Sequence, residues 1–369
     1  MRGMHVRPRV ISITLFFGLI SVLSFVSNVS ASCGAVSCFV VIGSQQQVPQ
    51  EGVLTMNGIY NYTPMRLLGG TNGIIPAADQ ANRRLILDHH KEVRTITQTY
   101  TLDMNYGVTD RFAVQVTVPY LKRKHQHIDG IGESATDFGE DSHFSDNGIG
   151  DMRVTAKYNV LPTLRNMLVL GFGMDLPTGD TRARDSGANV LESSGQLGRG
   201  NVGLIGSVYQ TYELIPHRLN QFAFGSYRHT FRNRDGYQFG DEFLFNFGFN
   251  LVTVPWLVVT NQFNYRYLVH DNVRANLEQS RPPFDGNDPD IIDPTVMNRR
   301  VPNTGSSYFA YTPGFQVSLG DLISSPWTEA TSVYFYSQIP IARDANNNLT
   351  QGTSFILGIT KSFQLIKLS

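Results

Sequence analysis

The sequence predicts an all-β protein, a transmembrane antiparallel up-and-down β-barrel of about twelve strands. Three observations carry that prediction: an export-type N-terminus with no spanning apolar helix after it, segments of alternating hydrophobicity, and joints that alternate between short and long.

The first element is the leader. Arg2, Arg7 and Arg9 precede a mostly apolar run from Val10 to Val26, and Val29, Ser30 and Ala31 supply the small-residue stretch at which a signal peptide is cut. The expected organisation is a signal peptide over 1–31, a periplasmic N-terminal segment over 32–52 and an outer-membrane barrel over 53–369. Beyond Ala31 no run approaches the roughly 20 apolar residues that a spanning helix needs, so the membrane must be crossed by strands closed into a barrel. Cys33 and Cys38 lie just past the cut. In an oxidising periplasm they would close a small disulfide loop or stay as free thiols, and both readings stand.

The strands follow in order at 53–62, 93–106, 111–122, 148–160, 167–176, 202–213, 220–231, 242–252, 257–269, 307–319, 328–340 and 352–363. The joints at 107–110, 161–166, 214–219, 253–256 and 320–327 are short, and those at 63–92, 123–147, 177–201, 232–241, 270–306 and 341–351 are mostly longer. Outer-membrane barrels have that arrangement, with turns on the periplasmic rim and loops outside. A soluble sandwich would alternate too, but has no reason to gather its long loops at one end.

Alternation assigns the two faces. Thr95, Thr97, Thr99, Thr101, Asp103 and Asn105 share one side of the second strand, against Ile96, Tyr100, Leu102, Met104 and Tyr106 on the other. Phe243, Phe245, Phe247, Phe249 and Leu251 line one side of the eighth. With apolar faces toward lipid, the expected pore-lining residues are Asp103, Asn105, Gln115, Asp151, Arg153, Lys157, Gln262, Asn264 and Arg266. Segments 202–213 and 220–231 carry small residues on both faces, so their inward residues stay open.

Three stretches carry a family resemblance: MNYGVTDRFAVQVTVPYL (104–121), NGIGDMRVTAKYNVL (147–161) and LGFGMDLPTGD (170–180). They resemble the outer-membrane proteins of the Putative MetA-pathway of phenol degradation family. The resemblance implies a barrel that passes small, aromatic or apolar molecules across the outer membrane, and it carries over no catalytic residue. The chain departs from common barrel practice by ending in SFQLIKLS, with Phe363 as its last aromatic residue.

The formal net charge is zero, and no basic patch marks a nucleic-acid binder. No nucleophile elbow, P-loop or HExxH helix is present, so no enzyme activity and no cofactor are expected. The expected partners are outer-membrane lipid and a small-molecule solute, with the oligomeric state open. A barrel hydrolase is one alternative, and Ser207 with His229 is its best pair. The other is a metal-binding surface barrel. His89, His125 and His127 are its expected ligands, in a register that sets His89 opposite His127. Asp285, Asp288, Asp290 and Asp293 in the longest joint would offer oxygen ligands to Ca²⁺, or simply belong to a solvated loop.

Overall fold

The computed structural model describes residues 40, 42–79, 84–129, 141–163, 165–184, 193–273, 277–280, 291–296, 300, 301 and 303–365. The leader, Cys33, Cys38, Asp285, Asp288 and Asp290 lie outside the described residues, as does the side chain of Asp293.

Twelve antiparallel strands close into a barrel. They are β1 (Val53–Arg66), β2 (Arg84–Thr109), β3 (Phe112–Asp129), β4 (Met152–Asn159), β5 (Asn166–Leu176) and β6 (Gly203–Ile215), followed by β7 (Leu219–Thr230), β8 (Glu242–Val254), β9 (Leu257–Leu268), β10 (Ser306–Ser318), β11 (Thr331–Asp344) and β12 (Ser354–Gln364). Each pairs with the next, and β12 returns to β1 from Val53↔Gln364 to Tyr62↔Phe355. Closure leaves no strand edge unpaired, which a hydrocarbon environment requires. No helix among the described residues is long and apolar enough to cross a membrane.

Local chemistry explains the joints. Between β2 and β3 only Asp110 and Arg111 remain, and the Thr109 hydroxyl accepts from the Arg111 and Phe112 amides at 3.2 and 3.0 Å. His217 adopts the left-handed φ of 57° in the tight β6–β7 turn, and the Arg218 amide closes that turn on Ile215 at 3.0 Å. These tight turns share one rim, the periplasmic one.

Long aliphatic and aromatic side chains face outward. Leu102, Leu170, Phe172, Phe243, Phe245, Phe263 and Leu357 are all exposed. Buried inside are Asn57, Asp103, Asn246, Gln262, Asn264, Thr312, Gln338 and Ser354. This is a soluble protein turned inside out, and only lipid stabilises such a surface.

Four expectations need correction. First, β2 and β3 run well past their expected ends, and their hairpin stands above the outer rim, joined there by strands Ile74–Asp79 and Asp141–Ile149. Second, the expected strand 148–160 breaks at Gly150 and Asp151. The Gly150 carbonyl accepts from the Thr178 hydroxyl and the Asp151 carboxylate from the Gly179 amide, so the chain turns there to hold the following loop. Third, the tight β2–β3 turn and an irregularity between Glu92 and Arg94 set Glu92, not His89, opposite His127. Fourth, the segment expected in the periplasm folds back inside. Val40 and Ile42 pack on Tyr334, Tyr336 and Ile356, while Val48 reaches Val169, Tyr209 and Phe222 across the barrel.

Candidate functional site

The lumen is the candidate site, and it has three levels. At the periplasmic level the N-terminal segment runs across the barrel with a one-turn helix, Gly43–Gln46. Its backbone is held by the wall: Asn105 Nδ2 donates to the Gln47 carbonyl at 2.9 Å, and Lys157 Nζ donates to the Gln45 carbonyl. Gly107 is required here, because a Cβ at that position would overlap the carbonyl oxygens of Pro49 and Gln50. Ile42 is 3% exposed.

The middle level is a lattice of amides, hydroxyls and one buried charge pair. The Asp103 carboxylate accepts from Asn57 Nδ2 at 3.2 Å, from the Thr117 hydroxyl at 2.8 Å and from Gln115 Nε2. It is fully buried, and Lys157 supplies the opposing charge. Across the lumen, Asn264 donates to Asn246 and to Gln262 and accepts from the Thr312 hydroxyl. Gln351 donates to Gln338 and to Ser354. Such a wall offers amide and hydroxyl groups at short intervals.

The outer level is ionic. Arg153 Nε and Nη2 embrace the Asp175 carboxylate at 2.7 and 3.3 Å. Arg228 lies between Asp175 at 3.6 Å and Glu242 at 3.0 Å. Arg199 donates to the Thr230 hydroxyl at 3.0 Å and lies over the Phe239 ring. Its backbone amide and that of Gly179 donate to the Asp151 carboxylate, which ties the β5–β6 loop over the mouth.

The nine residues expected to line the pore all fall on or above the inner wall. Asp103, Asn105, Gln115 and Lys157 share one region of it, and Gln262, Asn264 and Arg266 share another. Arg153 joins the ionic level, and Asp151 binds the loop rather than lining an open wall. Sequence reasoning missed Asp175, Arg228, Glu242 and Arg199. Asp175 on β5, Arg228 on β7 and Glu242 on β8 share the inward parity of their strands, a signal that was present; only for Arg228 did the strand lack a clean alternation against which to read it.

Of the three histidines expected as metal ligands, the structure describes the side chains of His125 and His127. His125 and His127 come together with His90, their rings 4.9 to 5.0 Å apart in sequence, around the buried Glu92 carboxylate. His90 Nε2 lies 3.3 Å and His125 Nε2 3.6 Å from that carboxylate, and His125 Nδ1 meets the Thr95 hydroxyl at 2.7 Å. The side chain of His89 lies outside the described residues. Among the described residues, no three His, Cys, Asp or Glu side chains are arranged to hold a metal ion. Burial pushes the His125 imidazole down to about 4, against the pull of Glu92, so the ring is neutral at pH 7. This cluster lies on the hairpin above the membrane.

Ser207 and His229 do not meet. Ser207 pairs with Ser226 on the inner face, whereas His229 pairs with Leu204 and points outward to Asp241 at 2.7 Å.

A family model described as Putative MetA-pathway of phenol degradation matches residues 87–298, more than half of the chain. No curated protein is significantly similar in sequence. Among solved structures, an outer membrane channel from Pseudomonas putida F1 superposes with a TM-score of 0.53 at 11% identity, over 88% of this chain and 100% of that one. A FadL homologue from Pseudomonas aeruginosa gives 0.36 at 9% identity, over 85% and 90%. The CymD monoaromatic hydrocarbon channel gives 0.35 at 11%, over 85% and 89%. At 11% identity the likeness to the Pseudomonas putida F1 structure is one of fold, a barrel of the bacterial outer membrane.

Proposed function

The chain belongs to the family described as Putative MetA-pathway of phenol degradation, and from that premise we propose that it is an outer-membrane channel for small solutes, with its N-terminal segment as the barrier in the lumen. The observation that carries this reading is the inner wall itself. Amides and hydroxyls alternate there with the rings of Tyr209, Phe222, Tyr308, Tyr334 and Tyr336. A solute with one aromatic ring and one or two polar substituents matches both surfaces, because each ring contact excludes water while the amides replace the lost hydrogen bonds. The Pseudomonas putida F1 barrel that shares this fold is an outer membrane channel, which agrees with this reading.

A channel is favoured over a barrel hydrolase because Ser207 and His229 lie on opposite faces of the wall. Nothing in the reading requires a cofactor. It also keeps residues 1–31 as an export signal, so mass spectrometry of the protein from outer membranes should find a chain starting near Ser32.

The deciding experiment is uptake into proteoliposomes. The full mature chain and one starting at Pro49 are compared for phenol, benzyl alcohol and a hexose. Faster entry of the aromatic solutes, increased further in the shortened chain, is expected. Failure of the shortened, folded barrel to pass any of them would end the channel reading.

A further inference from the structure

Tyr60, Tyr100 and Tyr120 stand side by side on the outer surface of β1, β2 and β3. Strand register pairs Tyr60 with Tyr100 and Tyr100 with Tyr120, and successive ring centroids are 5.1 and 6.5 Å apart. Such a row marks the interface between hydrocarbon and headgroups.

Directly above it the same outward face turns cationic. Lys122 and Lys124 follow Tyr120 at two-residue steps on β3, and Arg66 of β1 lies opposite Arg94 of β2. All four are exposed. Arg94 pairs with Gln126 and Lys124 with Ile96, so Arg94 and Lys124 are diagonal neighbours, roughly 7 to 8 Å apart at Cβ. Arg66, Arg94 and Lys124 therefore span three adjacent strands within about 13 Å.

Two like charges directly opposite across a pair of strands are destabilising unless an anion lies between them. Among the described residues no carboxylate pairs with any of the four. Lys122 has the Tyr100 ring at 5.8 Å, and the neighbours beside Lys122 and Lys124 on the next strand are Asn147 and Ser145. Of the two acidic residues on that strand, Asp146 pairs with Arg123 on the opposite, inward face, and Asp141 is already engaged by His143 at 3.2 Å and by Gln126 at 3.0 Å.

Height selects the anion. At about 3.3 Å per residue and a strand tilt near 40°, Lys122 lies roughly 5 Å and Lys124 roughly 10 Å above Tyr120 of the same strand, and Arg66 and Arg94 roughly 15 Å above Tyr60 and Tyr100 of theirs. The polar layer of a phospholipid leaflet is only about 5 to 8 Å deep. Lys122 can meet a phospholipid phosphate, but the arginine pair stands above that plane. A lipid that carries phosphates on a saccharide headgroup reaches both levels.

We propose that Arg66, Arg94, Lys122 and Lys124 form a binding site on the barrel exterior for the phosphate groups of a phosphorylated glycolipid of the outer leaflet. The proposal rests on the outer-membrane location and on the long joints facing outward, and it is independent of what passes through the lumen. Arginine binds such a phosphate with two parallel N–H donors, and lysine with a point charge.

The test uses the full mature chain in detergent, with lipopolysaccharide, phosphatidylglycerol and inorganic phosphate as separate probes in a binding titration. The native chain should bind lipopolysaccharide at least tenfold more tightly than an Arg94→Gln/Lys124→Gln variant, with affinity falling as salt rises. Arg111→Gln, which removes an exposed cation from the periplasmic turn, should bind like the native chain. Both variants should keep the gel-mobility difference between heated and unheated barrel and the native rate of solute uptake, which separates this result from failure of the channel reading. Equal binding by native and double variant would overturn the proposal. Equal affinity for phosphatidylglycerol, or displacement of lipopolysaccharide by low millimolar inorganic phosphate, would overturn the choice of a glycolipid.

Discussion

Truncating Ile42 tests whether the N-terminal segment is the barrier. Its side chain is almost fully buried in a cluster with Tyr334, Tyr336 and Ile356, against which Ile59 of β1 also packs. Ile42→Ala removes that contact from a segment which otherwise holds on through Val40, Val48 and the bonds from Asn105 and Lys157. Truncating a buried isoleucine to alanine removes roughly 2–3 kcal/mol of docking free energy. The docked-to-released ratio should therefore fall by about 30- to 150-fold. If the segment is released in about one molecule in a hundred, the substitution makes release a common state, and uptake of phenol into proteoliposomes should rise by at least tenfold. Gly107→Val attacks the same segment further along its course, from β2, where a side chain would displace Pro49 and Gln50, and should act in the same direction. Limited proteolysis reports release separately. A segment that is freed in both variants while uptake stays at the native level would refute the argument that it blocks the lumen.

Removing the Asp103 carboxylate as Asp103→Ala strands Lys157, Asn57, Gln115 and Thr117 around a buried gap, and should cost about 2–4 kcal/mol in urea unfolding of the barrel. Glu242→Gln leaves Arg228 with Asp175 alone and makes the outer level more positive, so the reversal potential under a salt gradient should move toward anions. An unchanged potential would mean that ions do not pass that level. The outer hairpin should loosen in acid. His125 takes up its proton in the unfolded chain near pH 6.5 but in the folded hairpin only near 4, so the unfolded state binds more protons between those values and stability falls as pH drops through them. Hydrogen exchange over 84–129 should therefore quicken below pH 6.5, and His125→Gln should flatten that dependence; an identical profile in the variant would exclude His125 as its source.

Much of this protein was decided by period and punctuation. Two-residue alternation, as in Thr95 to Tyr106, fixes which side chains face lipid, because a strand has no other way to segregate them. The lengths of the joints fix which rim is which. All twelve strands and the inward placement of Asp103, Lys157, Gln262 and Arg266 follow from those two rules.

What the sequence left open depends on distances between elements far apart in the chain. The ionic level joins Arg153, Asp175, Arg228 and Glu242 from four strands, and only closure of the barrel makes them neighbours. The histidine group turned on an irregularity between Glu92 and Arg94, which shifts the pairing above it by one residue and brings Glu92 to His127; a shift of one reverses a face, and no periodicity marks where it falls. The N-terminal segment has neither alternation nor a clear helical pattern, so its own residues gave no reason to place it inside the lumen. Only the tertiary structure supplies that reason: an aromatic pocket on one wall, another opposite it, and a glycine between Tyr106 and Val108 that lets the backbone pass.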